Sequence, residues 1–170
     1  MLNLSGIVSD SIVDGPGIRT AIFSQGCPHH CPGCHNPETW DFGCGTDMDE
    51  ETLVEIVRSN PLCRGVTFSG GEPFAQAEAF ARLARLLKAH GYEVASYSGY
   101  TFEELMDGTP AQQELLQAID ILIDGPFLMK EKSLELVFRG SRNQRILDVP
   151  ASLTAGKAVE TCSKRWLGEY

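Results

Sequence analysis

Residues Ile119 to Ile123 are apolar at every position but Asp120, and the run stops abruptly at Asp124-Gly125-Pro126. A strand that faces water on one side alternates polar and apolar residues; a nearly continuous apolar strand is buried on both faces. The chain must therefore place packed layers on both sides of this strand. The segments before it supply them as strand, loop and helix units. Arg19 to Ser24 is β-prone around Ile22 and Phe23, Gly65 to Phe68 and Tyr92 to Tyr97 read as strands, and Ile146 to Val149 reads as a last one.

Helices fall between them. One starts at an N-cap at Thr46 or Asp47, carries Asp49, Glu50 and Glu51 in its first turn, and ends at Asn60-Pro61. A longer one runs from about Ala75 to His90, with Phe80, Leu83, Leu86 and Leu87 on one face and Gly91 at its C′ position. Thr101 with Glu104, and Thr109 with Gln112 behind Pro110, are capping-box pairs for two short helices. Strands alternating with helices predict an α/β fold with a mostly parallel sheet and right-handed crossovers. Four or five strands are too few to close an eight-stranded barrel. The expected architecture is a shortened, open partial (β/α) barrel, with function gathered at the C-terminal ends of the strands.

The chain has 170 residues and a formal net charge of −9. The length predicts one domain over 1–150, with 151–170 as a tail of no readable role. The charge argues against gripping a nucleic-acid backbone, so no nucleic-acid partner is expected. No apolar run is long enough to span a bilayer, and the first fifteen residues lack the basic-then-apolar pattern of a secretory signal, so the expectation is a cytoplasmic protein with no membrane partner. Six cysteines in such a chain point to metal or redox chemistry ahead of disulfides.

Three of them, Cys27, Cys31 and Cys34, stand at C-x3-C-x2-C spacing in a loop rich in Pro, Gly and His directly after the Arg19 to Ser24 strand. Thiolates are soft ligands for zinc, copper(I) or iron–sulfur clusters. Two readings follow from spacing alone. Zinc could take the three sulfurs with His30 or His35 as a closed structural site. A 4Fe-4S cluster ordinarily takes four cysteines, so three would leave one iron open. On the same predicted rim, Ser69-Gly70-Gly71-Glu72 ends the second strand, where glycines let a ligand lie close to the backbone.

Together these residues resemble the radical S-adenosylmethionine (SAM) superfamily, whose signature is C-x3-C-x2-C after the first strand and Gly-Gly-Glu after the second. Asp14-Gly15-Pro16-Gly17-Ile18-Arg19-Thr20 and Cys34-His35-Asn36-Pro37-Glu38-Thr39-Trp40 are similar to the glycyl-radical-enzyme activating family. Cys31-Pro32-Gly33-Cys34, Ser98-Gly99-Tyr100-Thr101, Asp124-Gly125-Pro126-Phe127 and Phe138 to Arg145 resemble the branch that serves anaerobic ribonucleoside-triphosphate reductases. The likeness runs from about Gly6 to Val149.

The resemblance implies a radical SAM partial barrel in which Cys27, Cys31 and Cys34 hold a 4Fe-4S cluster and SAM binds the open iron. Gly70, Gly71 and Glu72 would dock the methionine amino group through the strand backbone. Gly33, where the superfamily commonly has an aromatic residue, cannot stack on adenine, so the backbone of Gly33, Cys34 and His35 would meet it instead. Ser96 and Ser98 are further SAM candidates. Asp124 has two readings of equal weight, a SAM contact or a cap of the Gly125-Pro126 turn. The implied reaction reduces SAM to methionine and a 5′-deoxyadenosyl radical, which takes hydrogen from a glycine on the reductase large chain. A low-potential donor such as flavodoxin is also implied.

Lys130, Lys132, Arg139, Arg142 and Arg145 make a basic stretch that reads either as a docking surface or as a solvated face. Arg19 would pair with a carboxylate or merely end its strand. Cys44, Cys63 and Cys162 are too scattered for a second cluster. The alternatives are activation of another glycyl radical enzyme, modification of a small molecule and, in a different class, a zinc-binding interaction module.

Overall fold

The computed structural model describes residues 1 to 169, so Tyr170 of the expected tail lies outside the described residues. Seven strands form one sheet: β1 (Leu2–Ser11), β2 (Arg19–Ser24), β3 (Thr46–Met48), β4 (Gly65–Gly70), β5 (Glu93–Tyr97), β6 (Ile121–Asp124) and β7 (Arg145–Asp148). Five helices accompany them: α1 (Glu50–Arg58), α2 (Ala77–Ala89), α3 (Phe102–Met106), α4 (Pro110–Ala118) and α5 (Val149–Ala155). The strand order is β3-β1-β2-β4-β5-β6-β7. The four central strands, β2, β4, β5 and β6, are parallel. Both flanks are antiparallel: β1 to β2, β3 to β1, and β7 to β6. The sheet is open, a partial barrel with a parallel centre.

Two strands exceed the expectation. β1 is broken by register shifts on either side of Gly6–Val8, and its Ser5, Ser9 and Asp10 are exposed, which blurs the two-residue period. β3 takes up Thr46–Met48, so the first helix starts later than read: Asp49 is the cap and accepts from the Thr52 amide at 2.7 Å. Both predicted capping boxes form, at Thr101 with Glu104 and at Thr109 with Gln112.

The pleat divides the sheet into two faces. Ile22, Val66, Phe68, Val94, Leu122 and Leu147 point to the helix layer, where they join Phe80, Leu83 and Leu87 of α2 and Leu53 and Val57 of α1 in the main core. Each such Leu or Phe, fully removed from water, contributes about 1.5–3 kcal/mol. The alternate residues Ala95, Ile121, Ile123 and Ile146 face the other way, into a smaller cluster closed by Trp166. No helix among the described residues is long and apolar enough to cross a membrane.

Trp166 caps the floor of that inner face. Its ring lies 5.1 Å from the Arg19 guanidinium carbon, and its indole N–H reaches Glu93 Oε1 at 3.3 Å. Arg19 is fully buried and bonds Glu93 Oε1 at 2.9 Å, Thr67 Oγ1 at 2.9 Å and the carbonyls of Pro16 and Val66. The arginine thus pairs with a carboxylate on the floor, away from the cysteines, and its burial pulls its pKa down against the raising effect of Glu93. Beyond Pro150 the chain continues α5 and packs back on β7, with the Thr161 amide donating to Ile146 O.

Candidate functional site

A cavity of about 520 Å³ opens at the C-terminal ends of the parallel strands. Cys27, Cys31, Cys34 and His35 line one side, and Ser69, Gly70, Gly71, Tyr97, Ser98 and Gly125 bring the ends of β4, β5 and β6 to it. Val13 and Asp14 reach it from the loop before β2, and Phe127, Leu136, Phe138 and Arg139 from the segment between β6 and β7. The strand ends and the cysteine loop therefore meet on one rim.

The cysteine loop is fastened at both ends. Gly26 and Cys27 amides donate to the carbonyls of Thr39 and Trp40 at 2.6 and 3.1 Å. The Cys34 amide closes a turn on Cys31 O at 3.0 Å. Burial pushes the Cys27 thiol pKa up, while the backbone N–H groups of His29 and His30 pull against it and favour the thiolate. All three histidine rings are otherwise engaged. His29 Nε2 bonds Glu72 Oε1 at 2.7 Å, His30 stacks on Trp40 at 4.6 Å, and His35 packs on Phe127 at 5.1 Å.

The donor set suits a sulfur-ligated cluster. Three thiols on one short loop face one cavity, and the buried Trp40 Nε1–H, also in the cavity wall, has no acceptor. A cluster rich in sulfur offers acceptors to such a donor.

The glycines at the end of β4 serve the chain as well as the cavity. A Cβ on Gly70, whose φ is +92°, would meet the Phe23–Ser24 backbone, and one on Gly71 would overlap Gly26 O. The Gly71 and Glu72 amides donate to Ser24 O and Gly26 O, both at 2.8 Å. These residues let two strand ends cross closely, which holds the start of the cysteine loop against β4. Gly33 is similar: its φ is +76°, and a Cβ there would overlap Met129 Sδ.

Four candidates from the sequence, Glu72, Ser96, Asp124 and Gly33, do not line the cavity. Glu72 is fully buried and accepts from His29, from Ser98 Oγ at 2.9 Å, from the Gly99 amide at 2.8 Å and from the Phe74 amide at 3.0 Å. It ties the cysteine loop to the end of β5. Ser96 falls on the helix side of the pleat and bonds Tyr97 O at 3.0 Å. Asp124 does the same, accepting from the Phe102 amide at 2.8 Å and pairing with Arg145 at 2.6 Å. Gly33 lies on the exposed side of the loop beneath Met129. Residues that sequence reading did not single out for the cavity are Asp14, Phe127, Phe138 and Trp40. For all four the signal was present, since Asp14 and Trp40 lie in segments similar to the activating family and Phe127 and Phe138 in segments similar to its reductase branch.

Comparison with known proteins adds the following. Residues 13–147 match the model of the 4Fe-4S single cluster domain family. An anaerobic ribonucleoside-triphosphate reductase-activating protein of Vibrio cholerae is 35% identical over 143 residues, covering 79% of this chain and 90% of the relative. A pyruvate formate-lyase-activating enzyme of Clostridium pasteurianum is 39% identical over 118 residues, covering 64% of this chain and 50% of that protein. Among solved structures, QueE from Escherichia coli superposes with a TM-score of 0.42 at 22% identity, covering 59% of this chain and 51% of that chain.

Proposed function

The chain belongs to the 4Fe-4S single cluster domain family, and from that premise we propose that it is a radical SAM activating enzyme whose partner is the large chain of an anaerobic ribonucleoside-triphosphate reductase. The observation that carries the reading is the meeting of Cys27, Cys31 and Cys34 with the Gly70-Gly71 strand end on one cavity. The relatives that match over most of their length bear that activating name.

In this reading the thiolates of Cys27, Cys31 and Cys34 would hold the cluster. When bound, it would supply the one electron needed for reductive cleavage of SAM, with methionine as the leaving product, chemistry that would end in loss of a hydrogen atom from the partner's glycine. The protein's own part is to bind, aim and shield. The strand-end backbone at Gly70 and Gly71 receives the methionine moiety, and the backbone of Cys34 and His35 borders the adenine, with Gly33 set back on the exposed side of the loop. Phe23, Phe127 and Phe138 give the wall an apolar surface that keeps water from a reactive species. Glu72, Ser98 and Asp124 act by fixing the loops around the ligand. The exposed Ile12 and Val13, beside Asp14, border the open side through which a glycine-bearing loop approaches. A low-potential donor such as flavodoxin feeds the cluster in the cytoplasm, with no part for nucleic acid or membrane.

The test is electron paramagnetic resonance under strict anaerobiosis, with reconstituted protein, SAM, a strong reductant and the reductase large chain. The expected result is a glycyl doublet that disappears with Cys31→Ala. Cleavage of SAM without a doublet would discard the partner. The Clostridium similarity makes pyruvate formate-lyase the second substrate to try. Absence of both cluster signal and cleavage would refute the reading and return the cysteines to zinc.

A further inference from the structure

The segment from Lys130 to Arg145 runs against the charge of the chain. It holds five basic residues against Glu131 and Glu135, in a chain of formal net charge −9. The fold divides the five. Arg139 turns into the cavity wall, and Arg145 pairs with Asp124 and Glu103. Lys130, Lys132 and Arg142 are exposed, and none of them pairs with a carboxylate among the described residues. Main-chain pairing gathers them. Lys132 forms an isolated antiparallel bridge with Ser141, the Arg142 amide donates to Glu131 O at 2.9 Å, and Lys130 sits in the short helical turn of Met129–Glu131. Unpaired like charges held close together make a local positive field on an acidic protein, which favours an anionic partner.

This basic face adjoins the cysteine loop. The Met129 thioether occupies the space that a Cβ on Gly33 would take. Gly33 stands at the tip of the turn that the Cys34 amide closes on Cys31 O. Gly33 and Met129 are both exposed, and neither lines the cavity, so they mark the outer side of the loop. Cys27 is buried, whereas Cys31 and Cys34 are half-buried, so the thiols nearer to solvent are the two that this turn carries. Electron transfer weakens steeply with distance, and a glycine at the tip lets a second protein come close to the backbone between two ligands. Met129 is 52% exposed and Leu134 is 92% exposed, which sets apolar contacts among the charges, as protein interfaces do.

We propose that this outer face, made by Met129 to Leu134, Arg142 and the Cys31–Cys34 turn, docks an acidic one-electron carrier protein of the flavodoxin kind. The inference rests on the proposed function above, which needs an electron from outside. One electron passes from the reduced carrier to the cluster held by the three thiolates. The carrier is oxidised by one electron, the bound cluster is reduced by one, and no bond forms or breaks between the two proteins. In the same reading the glycine-bearing loop enters past Val13 and Asp14, which line the cavity. The docking face lies outside that lining, so the carrier does not compete for the cavity mouth.

The experiment is anaerobic stopped-flow reduction of the reconstituted protein by flavodoxin hydroquinone, with photoreduced deazaflavin as a small reductant that needs no docking. Wild type is compared at matched iron content with Lys130→Glu/Lys132→Glu/Arg142→Glu and with a control, Arg58→Glu/Arg85→Glu/Lys157→Glu, whose exposed charges lie elsewhere. Electrostatic steering raises association rates about tenfold to a thousandfold, so reversing the three charges should slow reduction by flavodoxin at least about tenfold at low salt and flatten its decline with added salt. The control should lose less than about threefold, and reduction and SAM cleavage driven by deazaflavin should stay within about twofold of wild type in both variants. A wild-type rate with flavodoxin in the first variant would overturn the assignment. So would an equal loss in the control, which would mark net charge alone. A variant that flavodoxin reduces normally, but that forms no glycyl doublet on the reductase when deazaflavin is the reductant, would overturn it by giving the face to the reductase. If the triple variant fails to fold, Lys130→Gln, Lys132→Gln and Arg142→Gln carry the test singly, and no loss in any of them overturns the assignment. A wild-type protein that deazaflavin reduces and that then cleaves SAM, but that flavodoxin leaves oxidised, refutes only this inference. One that holds no cluster, or that leaves SAM intact once reduced, refutes the proposed function itself.

Discussion

Glu72→Gln should destabilise the protein by an amount the geometry fixes within narrow limits. The carboxylate is fully buried and accepts at both oxygens: Oε1 from His29 Nε2, Ser98 Oγ and the Gly99 amide, and Oε2 from the Phe74 amide and, at 3.1 Å, the same Ser98 Oγ. Glutamine has the same shape but only one oxygen. If its NH₂ replaces Oε2, the buried Phe74 N–H faces a donor; if it replaces Oε1, the Gly99 N–H does. A buried donor left without an acceptor costs about 1–3 kcal/mol, and the remaining bonds lose their charge assistance. The sum is about 2–4 kcal/mol, which in a domain of this size lowers the melting temperature by roughly 5–15 °C. Urea denaturation of the metal-free protein measures it directly. A change below about 0.5 kcal/mol would refute the claim that this carboxylate stitches the cysteine loop to β5, as would additivity within about 0.5 kcal/mol between Glu72→Gln and His29→Ala in a double-mutant cycle.

Trp166→Ala should cost about 3–5 kcal/mol in urea melts, since it opens a cavity and strips the cover from the buried Arg19; a loss under about 1 kcal/mol would separate the last residues from the domain. Gly33→Ala forces a φ of +76° on a residue with a Cβ and drives that atom into Met129. The left-handed conformation alone costs about 1–2 kcal/mol, so iron retained per chain should fall, and adding Met129→Ala should restore only part of it. Arg145 pulls the Glu103 carboxyl pKa down, so the stability this pair adds is present above the ordinary value of about 4.3 and disappears as pH falls through the lower folded-state value. The Glu103 side chain is 61% exposed, so the effect is about a few tenths of a kcal/mol. Melting curves of Glu103→Gln and wild type should differ at neutral pH and converge in acid; divergence in acid would reverse the assigned sign.

What could be read from the sequence was what depends on near neighbours in the chain. The cysteine spacing, the two capping boxes and the apolar run of β6 each carry their signal within a few residues; both boxes form as read, and the strand read over Ile119 to Ile123 is present as Ile121–Asp124. Pleat parity at the rim did not. Ser96 and Asp124 end strands on the active rim, yet each falls on the same side as Val94 and Leu122 and so turns to the helices. Counting in twos from those apolar residues would have moved attention to Tyr97 instead. Arg139 was one of five basic residues in a row of candidates, and only the fold sets it apart, by placing it in the cavity wall while Arg145 pairs with Asp124 and Lys130, Lys132 and Arg142 face solvent. β1 stayed hidden because its irregular register interrupts the alternation that marks a strand.

The sandwich of Arg19 between its strand and Trp166 sets an order on how the molecule can be made. Arg19 leaves the ribosome well before the ring that covers it, because Trp166 follows it by 147 positions (166 − 19) in the sequence. Chains fold as they are synthesised, N-terminal parts first, but a guanidinium that is fully buried in the finished protein stays in water until that ring arrives. The loop of Asp14 to Gly17, bonded to Arg19 through Pro16 O and to Thr67 through Asp14 O, is anchored from the same floor. A chain that stops short of Trp166 therefore lacks a settled inner face, however complete its cysteine motif, and the loop beside the cavity is secured only once that ring is in place.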